Sequence, residues 1–321
     1  MSAALLLLGF AVAISVAAPA ALSRAGWVTR DPRLGIAAWC ASVLSVTLAF
    51  VGAGLALAVV PVSAWRAVCG LWRVCMIALA GGHGAVGRLA AIAGLAVAAA
   101  VLLRLAYTVA RTVPAAITWR HEHLAAVRAV GRAGPAPDIM VLDCPQPAGY
   151  VIAGWSRAVV VVTSGAVQRL TGAELAALVA HERGHAAGRH HVLLSGLRLL
   201  SQAFPGSRLL GQALTQVSQL AEVCADDAAV KRHSRRDLAR AMIVVAEGTS
   251  ASRLAPATAL AASGGDAAAR IRRLLSPPTP PPRWTRCSVT AAVLLLPVVP
   301  LAVVALARWW PVLAGCPQLF G

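Results

Sequence analysis

Four long segments that are almost free of charged residues constrain this chain more than any other feature of its sequence. They span residues 3–22, 36–60, 85–110 and 287–307, and each reaches the roughly 20 apolar residues that a helix needs to cross a bilayer. Hydrophobic residues make up 59% of the chain and charged residues 13%, against about 25% charged residues in soluble domains. The sequence therefore predicts an α-helical membrane protein with four transmembrane helices, and it excludes a simple soluble or disordered chain.

The positions of the arginines predict how the chain lies across the bilayer. Cytoplasmic loops of membrane proteins carry an excess of basic residues. Five arginines accompany the end of the third segment and five precede the fourth: Arg104, Arg111, Arg120, Arg128 and Arg132, then Arg270, Arg272, Arg273, Arg283 and Arg286. The sequence thus predicts a multi-pass plasma-membrane protein with a cytoplasmic polar region and an N-terminus outside the cell.

These segments divide the chain into five parts. In chain order they are three spans with a short interfacial segment (1–111), a cytoplasmic polar domain (112–275), a Pro-rich linker (276–286), the fourth span (287–308) and a short extracytoplasmic tail (309–321). The interfacial segment lies at 67–80, where Arg73 interrupts an apolar run too short to cross the membrane.

The polar domain has the pattern of an α+β fold. Short β runs at 139–143, 149–153 and 158–163 precede Thr171 and Glu174, which have the spacing of a capping box. The capping box predicts a helix whose sequence extends to the histidines at 190 and 191. Further helices are expected at 207–232 and from Ser234 to Gly248, followed by a loop at 249–268.

The net charge of +17, from 29 basic and 12 acidic side chains, has two interpretations. A strongly basic protein can bind nucleic acid, but basic cytoplasmic loops give a membrane protein the same excess. The sequence has no basic patch interleaved with aromatic residues. We therefore expect the lipid bilayer as a partner and no direct nucleic acid binding.

The sequence His181-Glu182-Arg183-Gly184-His185 is an HExxH motif within the capped helix. Residues i and i+4 lie on one face of a helix, so both imidazoles can reach the same Zn²⁺. Glu182, next to them, can take a proton from a water molecule at the metal. The motif predicts one zinc ion per chain and a zinc metallopeptidase whose catalytic base is Glu182.

Two residues compete for the position of third zinc ligand, which zinc peptidases require. His191, together with Gly188, completes the longer HExxHxxGxxH string of metzincins, whereas Glu222 lies in a later helix. Metzincins also need a Met-turn below the metal, and the only downstream methionine, Met242, lies within a helical run. These observations favour Glu222, with His191 as the alternative ligand.

Other residues of the polar domain have predicted supporting roles. Asp226 lies four residues after Glu222, on the same side of the helix, and can orient a ligand imidazole. His233 is a candidate hydrogen-bond donor to a tetrahedral oxyanion, and His190 is expected to be a solvated residue at a helix end. The run 158–163 can bind an extended substrate by strand addition.

The HExxH motif and Glu222-Val-Cys-Ala-Asp226, about 40 residues later, resemble the motifs of integral-membrane gluzincins. HtpX-type and CAAX-protease-type enzymes share the Glu-x-x-Ala-Asp signature. The arrangement of three spans before the zinc domain and one after it most resembles the BlaR/MecR-type antirepressor metallopeptidases. The later Arg270-Ile-Arg-Arg-Leu-Leu and the Pro-rich approach to the last span fit this type.

The BlaR/MecR resemblance implies a cytoplasmic zincin-like domain that cleaves a protein substrate, a cytosolic DNA-binding repressor, in response to a signal. Only 309–321 follow the fourth span, so we expect the penicillin-binding sensor domain of the β-lactam receptors to be missing. Two alternatives stay open: an HtpX-like quality-control protease for membrane proteins, and a non-catalytic signalling scaffold with structural zinc. Glu182 argues against the scaffold, since a structural site has no use for a base.

Overall fold

The structure is a computed structural model of the chain. It describes residues 2–58, 85–153, 158–251 and 257–314. The interfacial segment expected at 67–80 and the last residues of the expected tail lie outside the described residues. Secondary structure in the described part is mostly helical, with one small sheet.

The chain begins with apolar helices. These are α1 (Ser2–Arg24), the short α2 (Gly26–Arg30), α3 (Pro32–Ala58) and α4 (Ala85–Val130). By length and composition, α1, α3 and α4 contain three segments able to cross a membrane. The third predicted span, 85–110, is the first part of a longer continuous helix, α4, which extends to Val130 with Pro114 inside it.

The predicted fourth span consists of two helices, α11 (Arg283–Leu295) and α12 (Val298–Ala314). They meet at 45°, and together they would make a fourth membrane crossing. The bend lies at Pro297, where the missing N–H and the ring interrupt the helical hydrogen bonds. Helix α12 continues to Ala314, so the first residues of the segment predicted as a tail (309–321) are helical.

Small residues let the first two long apolar helices pack closely. Ala11 of α1 and Ala49 and Ala53 of α3 are buried together with Leu7, and Val304 of α12 packs against them. Small side chains allow close backbone approach, as in membrane helix pairs.

The sheet has four short strands. They are β1 (Arg132–Ala133), β2 (Ile139–Leu142), β3 (Gly149–Ala153) and β4 (Ala158–Thr163), in the order β1-β2-β4-β3. The strands predicted from the three β runs are confirmed, and β1 was not predicted. The prediction that 158–163 binds substrate by strand addition is wrong, because β4 pairs with β2 on one side and β3 on the other.

Helices follow the sheet to the end of the polar domain. They are α5 (Ser164–Arg169), α6 (Gly172–Ala187), α7 (His190–Ala203), α8 (Arg208–Ala229), α9 (Arg235–Ala251) and α10 (Ala257–Leu275). The loop predicted at 249–268 is wrong for the described residues of this range, because α9 continues to Ala251 and the residues from Ala257 onward are helical. This segment is rich in alanine, the residue with the highest helix propensity.

The helix predicted from Thr171 through the late histidines is in fact two helices. Gly188 caps α6, and Arg189 adopts a left-handed conformation with φ of 49° before α7 begins at His190. The change of direction places His190 and His191 on a different helix from the HExxH motif.

An apolar cluster joins the membrane-type helices to the polar domain. On α8, Leu209, Ala213, Val217 and Leu220 recur every three or four residues and pack against Trp39 of α3. This spacing forms one face of a helix. The polar domain therefore packs directly on α3, and α8 connects that contact to the site described next.

Candidate active site

The helix that carries the HExxH motif begins at a confirmed capping box. The side chain of Thr171 accepts a hydrogen bond from the Glu174 amide at 3.4 Å, and the Glu174 carboxylate accepts one from the Thr171 amide at 2.9 Å. Two turns further on, α6 buries His181 and Glu182, which are 6% and 8% exposed. The motif thus lies on the inner face of a helix with a well-defined start.

Three side chains from two helices bring potential metal ligands together. His181 and His185 of α6 have their Nε2 atoms 3.2 Å apart. Glu222 of α8 places Oε2 3.5 Å from the His181 Nε2 and Oε1 3.3 Å from the His185 Nε2. These three residues form the group of possible metal ligands found in the described part of the chain.

The spacing of these atoms matches the requirements of zinc. Ligand atoms at about 2.0–2.1 Å from a tetrahedral zinc ion are about 3.3–3.4 Å from one another. The observed separations of 3.2, 3.3 and 3.5 Å lie around this value. Two imidazoles and one carboxylate are also a ligand set that catalytic zinc uses, so the residues fit the metal that the motif predicts.

Asp226 contacts the opposite side of the first histidine. Its Oδ1 lies 2.9 Å from the His181 Nδ1, an ion-pair contact when that imidazole is protonated. Burial alone would lower the pKa of His181, but the carboxylates of Asp226 and Glu222 outweigh it and raise that pKa to about 9. The structure therefore brings Asp226 to the position in which it can orient this imidazole.

Arg270 of α10 completes the acidic side of the site, a role that the sequence did not predict. Its Nε and Nη2 donate to Asp226 at 2.8 and 2.7 Å, and its Nη1 lies 2.8 Å from the Glu222 Oε2. Burial alone would raise the pKa of both carboxyls, but contacts with Arg270 and the histidines lower them. The sequence offered one signal: Arg270 and Arg273 are three residues apart, so both lie on one face of a helix.

His190 is buried at the site, so its prediction as a solvated residue is wrong. Its Nδ1 lies 3.0 Å from the His185 Nδ1. Gly188 makes room for this contact, because a Cβ atom there would collide with the His190 ring. Burial and the neighbouring His185 lower the pKa of His190 to about 4. A neutral His190 can accept a hydrogen bond from the Nδ1–H of His185.

Glu182 has the environment of a base held away from bulk water. Burial raises the pKa of its carboxyl, and the nearby His181 and His185 partly oppose this effect. A buried carboxylate with a raised pKa is a stronger proton acceptor than an exposed one. Glu182 precedes His185 by three residues on α6, so it lies close to the same helix face.

The other two predicted residues are not among these ligands. His191 lies on α7, its buried Nδ1 has no hydrogen-bond partner among the described residues, and it is not part of the ligand group found there. His233 follows the end of α8, more than two helical turns beyond Glu222. The structure thus brings Glu222, rather than His191, to the two motif histidines.

Comparison with known proteins supports a peptidase. Residues 115–204 match the model of Peptidase family M48, a stretch that contains the sheet and the whole HExxH motif and ends before Glu222. No curated protein and no solved structure matches the chain. The match supports a zinc-dependent metallopeptidase with a protein substrate, and the apolar helices are compatible with a membrane protein.

Proposed function

We propose that this protein is a membrane-integral zinc endopeptidase that hydrolyses peptide bonds on the cytoplasmic side of the plasma membrane. One observation carries the proposal: the Nε2 atoms of His181 and His185 lie 3.2 Å apart, and each has an oxygen of the Glu222 carboxylate within 3.5 Å, which is close to the ligand spacing of a tetrahedral zinc site. Zinc at this site supplies Lewis acidity toward the peptide carbonyl and toward the attacking water.

Glu182 carries the proton transfers. Its carboxylate takes one proton from the attacking water as the new C–O bond forms. The same proton passes to the amide nitrogen as the C–N bond breaks, which releases the amine and regenerates Glu182. Burial raises the pKa of Glu182, so it is a better acceptor than an exposed glutamate.

Contacts at the base of the apolar helices support a cytoplasmic site. Arg286, at the start of α11, pairs with Asp31 of the turn before α3 at 2.9 Å. Both line a small cavity together with Cys224 and Asp227 of α8. The turn between the first two apolar helices and the approach to the last pair thus lie beside the peptidase helices, on the side where arginines are most frequent.

We further propose that the substrate is a cytosolic transcriptional repressor, cleaved in response to a signal. The support is the resemblance of the sequence motifs and the three-plus-one span arrangement to the BlaR/MecR type. Comparative proteomics of cells with the wild-type protein and with Glu182→Gln tests this. The exposed Glu247, which pairs with Arg169, provides the control variant Glu247→Gln.

We expect one soluble DNA-binding protein to accumulate uncleaved with Glu182→Gln and not with Glu247→Gln. Accumulation of many membrane proteins instead would contradict the repressor and favour the quality-control role. No difference between the three proteomes under any inducing condition would contradict peptidase activity.

A further inference from the structure

Arg270 contacts two carboxylates with different places in the site: Glu222, the proposed zinc ligand, and Asp226, which contacts His181. One edge of its guanidinium forms a two-bond fork with Asp226, and the remaining nitrogen reaches the Glu222 Oε2. The Arg270 side chain is 13% exposed and that of Asp226 2%. Two parallel hydrogen bonds of this kind fix the orientation of the guanidinium in addition to pairing opposite charges.

We propose that Arg270 is a positioning residue of the metal centre, which holds Glu222 in the one orientation that completes a tight zinc site. The inference rests on the proposed function, because it takes Glu222 as the third zinc ligand. It assigns to α10, a helix outside the HExxH segment, a direct part in metal affinity.

The argument starts from the two oxygens of Glu222. Arg270 lies 2.8 Å from Oε2, while Oε1 lies 3.3 Å from the His185 Nε2. The same Oε2 also lies 3.5 Å from the His181 Nε2, so holding it at the guanidinium fixes the plane of a carboxylate whose two oxygens both face the motif histidines. Glutamate has three rotatable side-chain bonds, so without this contact several orientations compete with the ligating one.

Repulsion between the two carboxylates makes the guanidinium necessary. Glu222 and Asp226 are four residues apart on α8, so they lie on the same helix face and repel each other. Arg270 lies between them and contacts both. Removing it would leave two like charges close together with no cation between them, and we expect the partly exposed Glu222 to turn toward solvent while Asp226 stays buried.

The positive charge of Arg270 by itself weakens zinc binding, whereas its positioning of Glu222 strengthens zinc binding. A cation near the site repels zinc, so electrostatics alone would make zinc bind more tightly when Arg270 is removed. Positioning predicts weaker binding. The direction of the change in zinc affinity therefore separates the two effects, independently of proteolytic activity.

Arg273 provides a matched control on the same helix. It forms a fork with Asp227, with bonds of 2.6 and 3.0 Å, and its side chain is 17% exposed. Asp227 is outside the ligand group found in the described part of the chain. Arg273→Ala thus removes the same kind of side chain, with similar burial, from a carboxylate that forms no ion pair with the motif histidines in the described part of the chain.

The experiment measures zinc affinity of the full chain in detergent or nanodiscs, by competition with a chromophoric chelator. We expect Arg270→Ala to weaken zinc binding about 10–100-fold, as for other groups that orient a ligand. Arg270→Lys keeps the charge but loses the fork, so we expect an intermediate loss of about 3–10-fold. Arg273→Ala should change zinc affinity less than about 3-fold while lowering thermal stability.

Several outcomes would overturn the inference. These are tighter zinc binding in Arg270→Ala, equal losses in Arg270→Ala and Arg273→Ala, or wild-type affinity in Arg270→Lys. If Arg270→Ala does not fold, the lysine variant decides the question. The visible spectrum of the cobalt-substituted protein adds a measure of ligand geometry, which we expect to change in Arg270→Lys and not in Arg273→Ala.

Glu222→Ala distinguishes failure of this inference from failure of the proposed function. If Glu222→Ala loses zinc and Arg270→Ala does not, only the role of Arg270 is wrong. If Glu222→Ala binds zinc as the wild type does, the proposed ligand set is wrong and the inference fails with it.

Discussion

Gly184 of the HExxH motif packs so closely against the backbone of Ala225 that an added methyl group would make unusually tight contacts. A Cβ atom at position 184 would lie 3.1 Å from the Ala225 Cα and 3.2 Å from its carbonyl oxygen. Helices α6 and α8 therefore meet at backbone distance. This close approach is what brings Glu222 within 3.5 Å of both histidines.

We predict that Gly184→Ala separates the two helices and loosens the site. Adding a methyl group to a well-packed contact costs about 1–3 kcal/mol, and the shift would lengthen the distances from Glu222 to the histidines. We expect a lower melting temperature and reduced zinc content. Gly196→Ala, at a helical glycine with no atom within 4 Å of the added Cβ, should leave the zinc content unchanged and should not lower the melting temperature, because alanine is favoured over glycine within a helix. Equal losses in the two variants would disprove the idea.

Features of the site that depend on local sequence could be predicted. The capping box of Thr171 and Glu174 needs only three-residue spacing, and the two histidines of the motif need only four. Both are present as the sequence indicates. The helix predicted at 207–232 likewise begins within one residue of the start of α8, and its predicted end lies three residues beyond Ala229.

Features that depend on tertiary contacts could not be predicted. Arg270 reaches Asp226 across 44 residues of sequence, and no periodicity encodes that pairing. His190 is buried because the chain turns at Arg189, whose left-handed conformation is unusual for a residue other than glycine. The pairing of β4 on both sides follows from a crossover in the sheet, which strand patterns alone do not show.

We predict that Glu182→Gln retains zinc and loses proteolysis. The change removes the proton acceptor and leaves His181, His185 and Glu222 in place. Zinc content by atomic emission and cleavage of a verified substrate are the two measurements. Undiminished cleavage would remove Glu182 from the mechanism.

We predict a graded effect for Asp226→Asn. The amide keeps the size of the carboxylate but loses the charge that contacts His181 and Arg270. Groups that orient a metal ligand typically contribute about 10–100-fold in metal affinity or activity. Chelator competition should show a loss in this range. Either complete loss of zinc or no change at all would argue against an orienting role.

Membrane topology is tested by reporters at two positions. A reporter fused after Gly264 should show a cytoplasmic location, and a reporter fused after Gly315 should show an extracytoplasmic one. A third fusion near Thr29, in the turn beside the peptidase helices, should agree with the first. The opposite pattern would exclude a cytosolic repressor as the substrate.

The identity of the third ligand is the prediction on which the proposed function depends most. With Glu222→Ala only two imidazoles would remain, so we expect zinc affinity and activity to fall sharply. His191→Ala should leave most of the zinc in place, because His191 lies on α7 and is outside the ligand group of the described residues.

A metzincin site would show the reverse pattern, since His191 would then bind the metal and Glu222 would not. Zinc content of the two purified variants, measured side by side after identical dialysis, separates these outcomes. The Nδ1 of His191 is buried and has no hydrogen-bond partner among the described residues. His191→Ala therefore breaks no hydrogen bond of that atom and leaves no partner unpaired. A zinc-free His191→Ala beside a zinc-replete Glu222→Ala would therefore overturn both the ligand assignment and the resemblance to gluzincins.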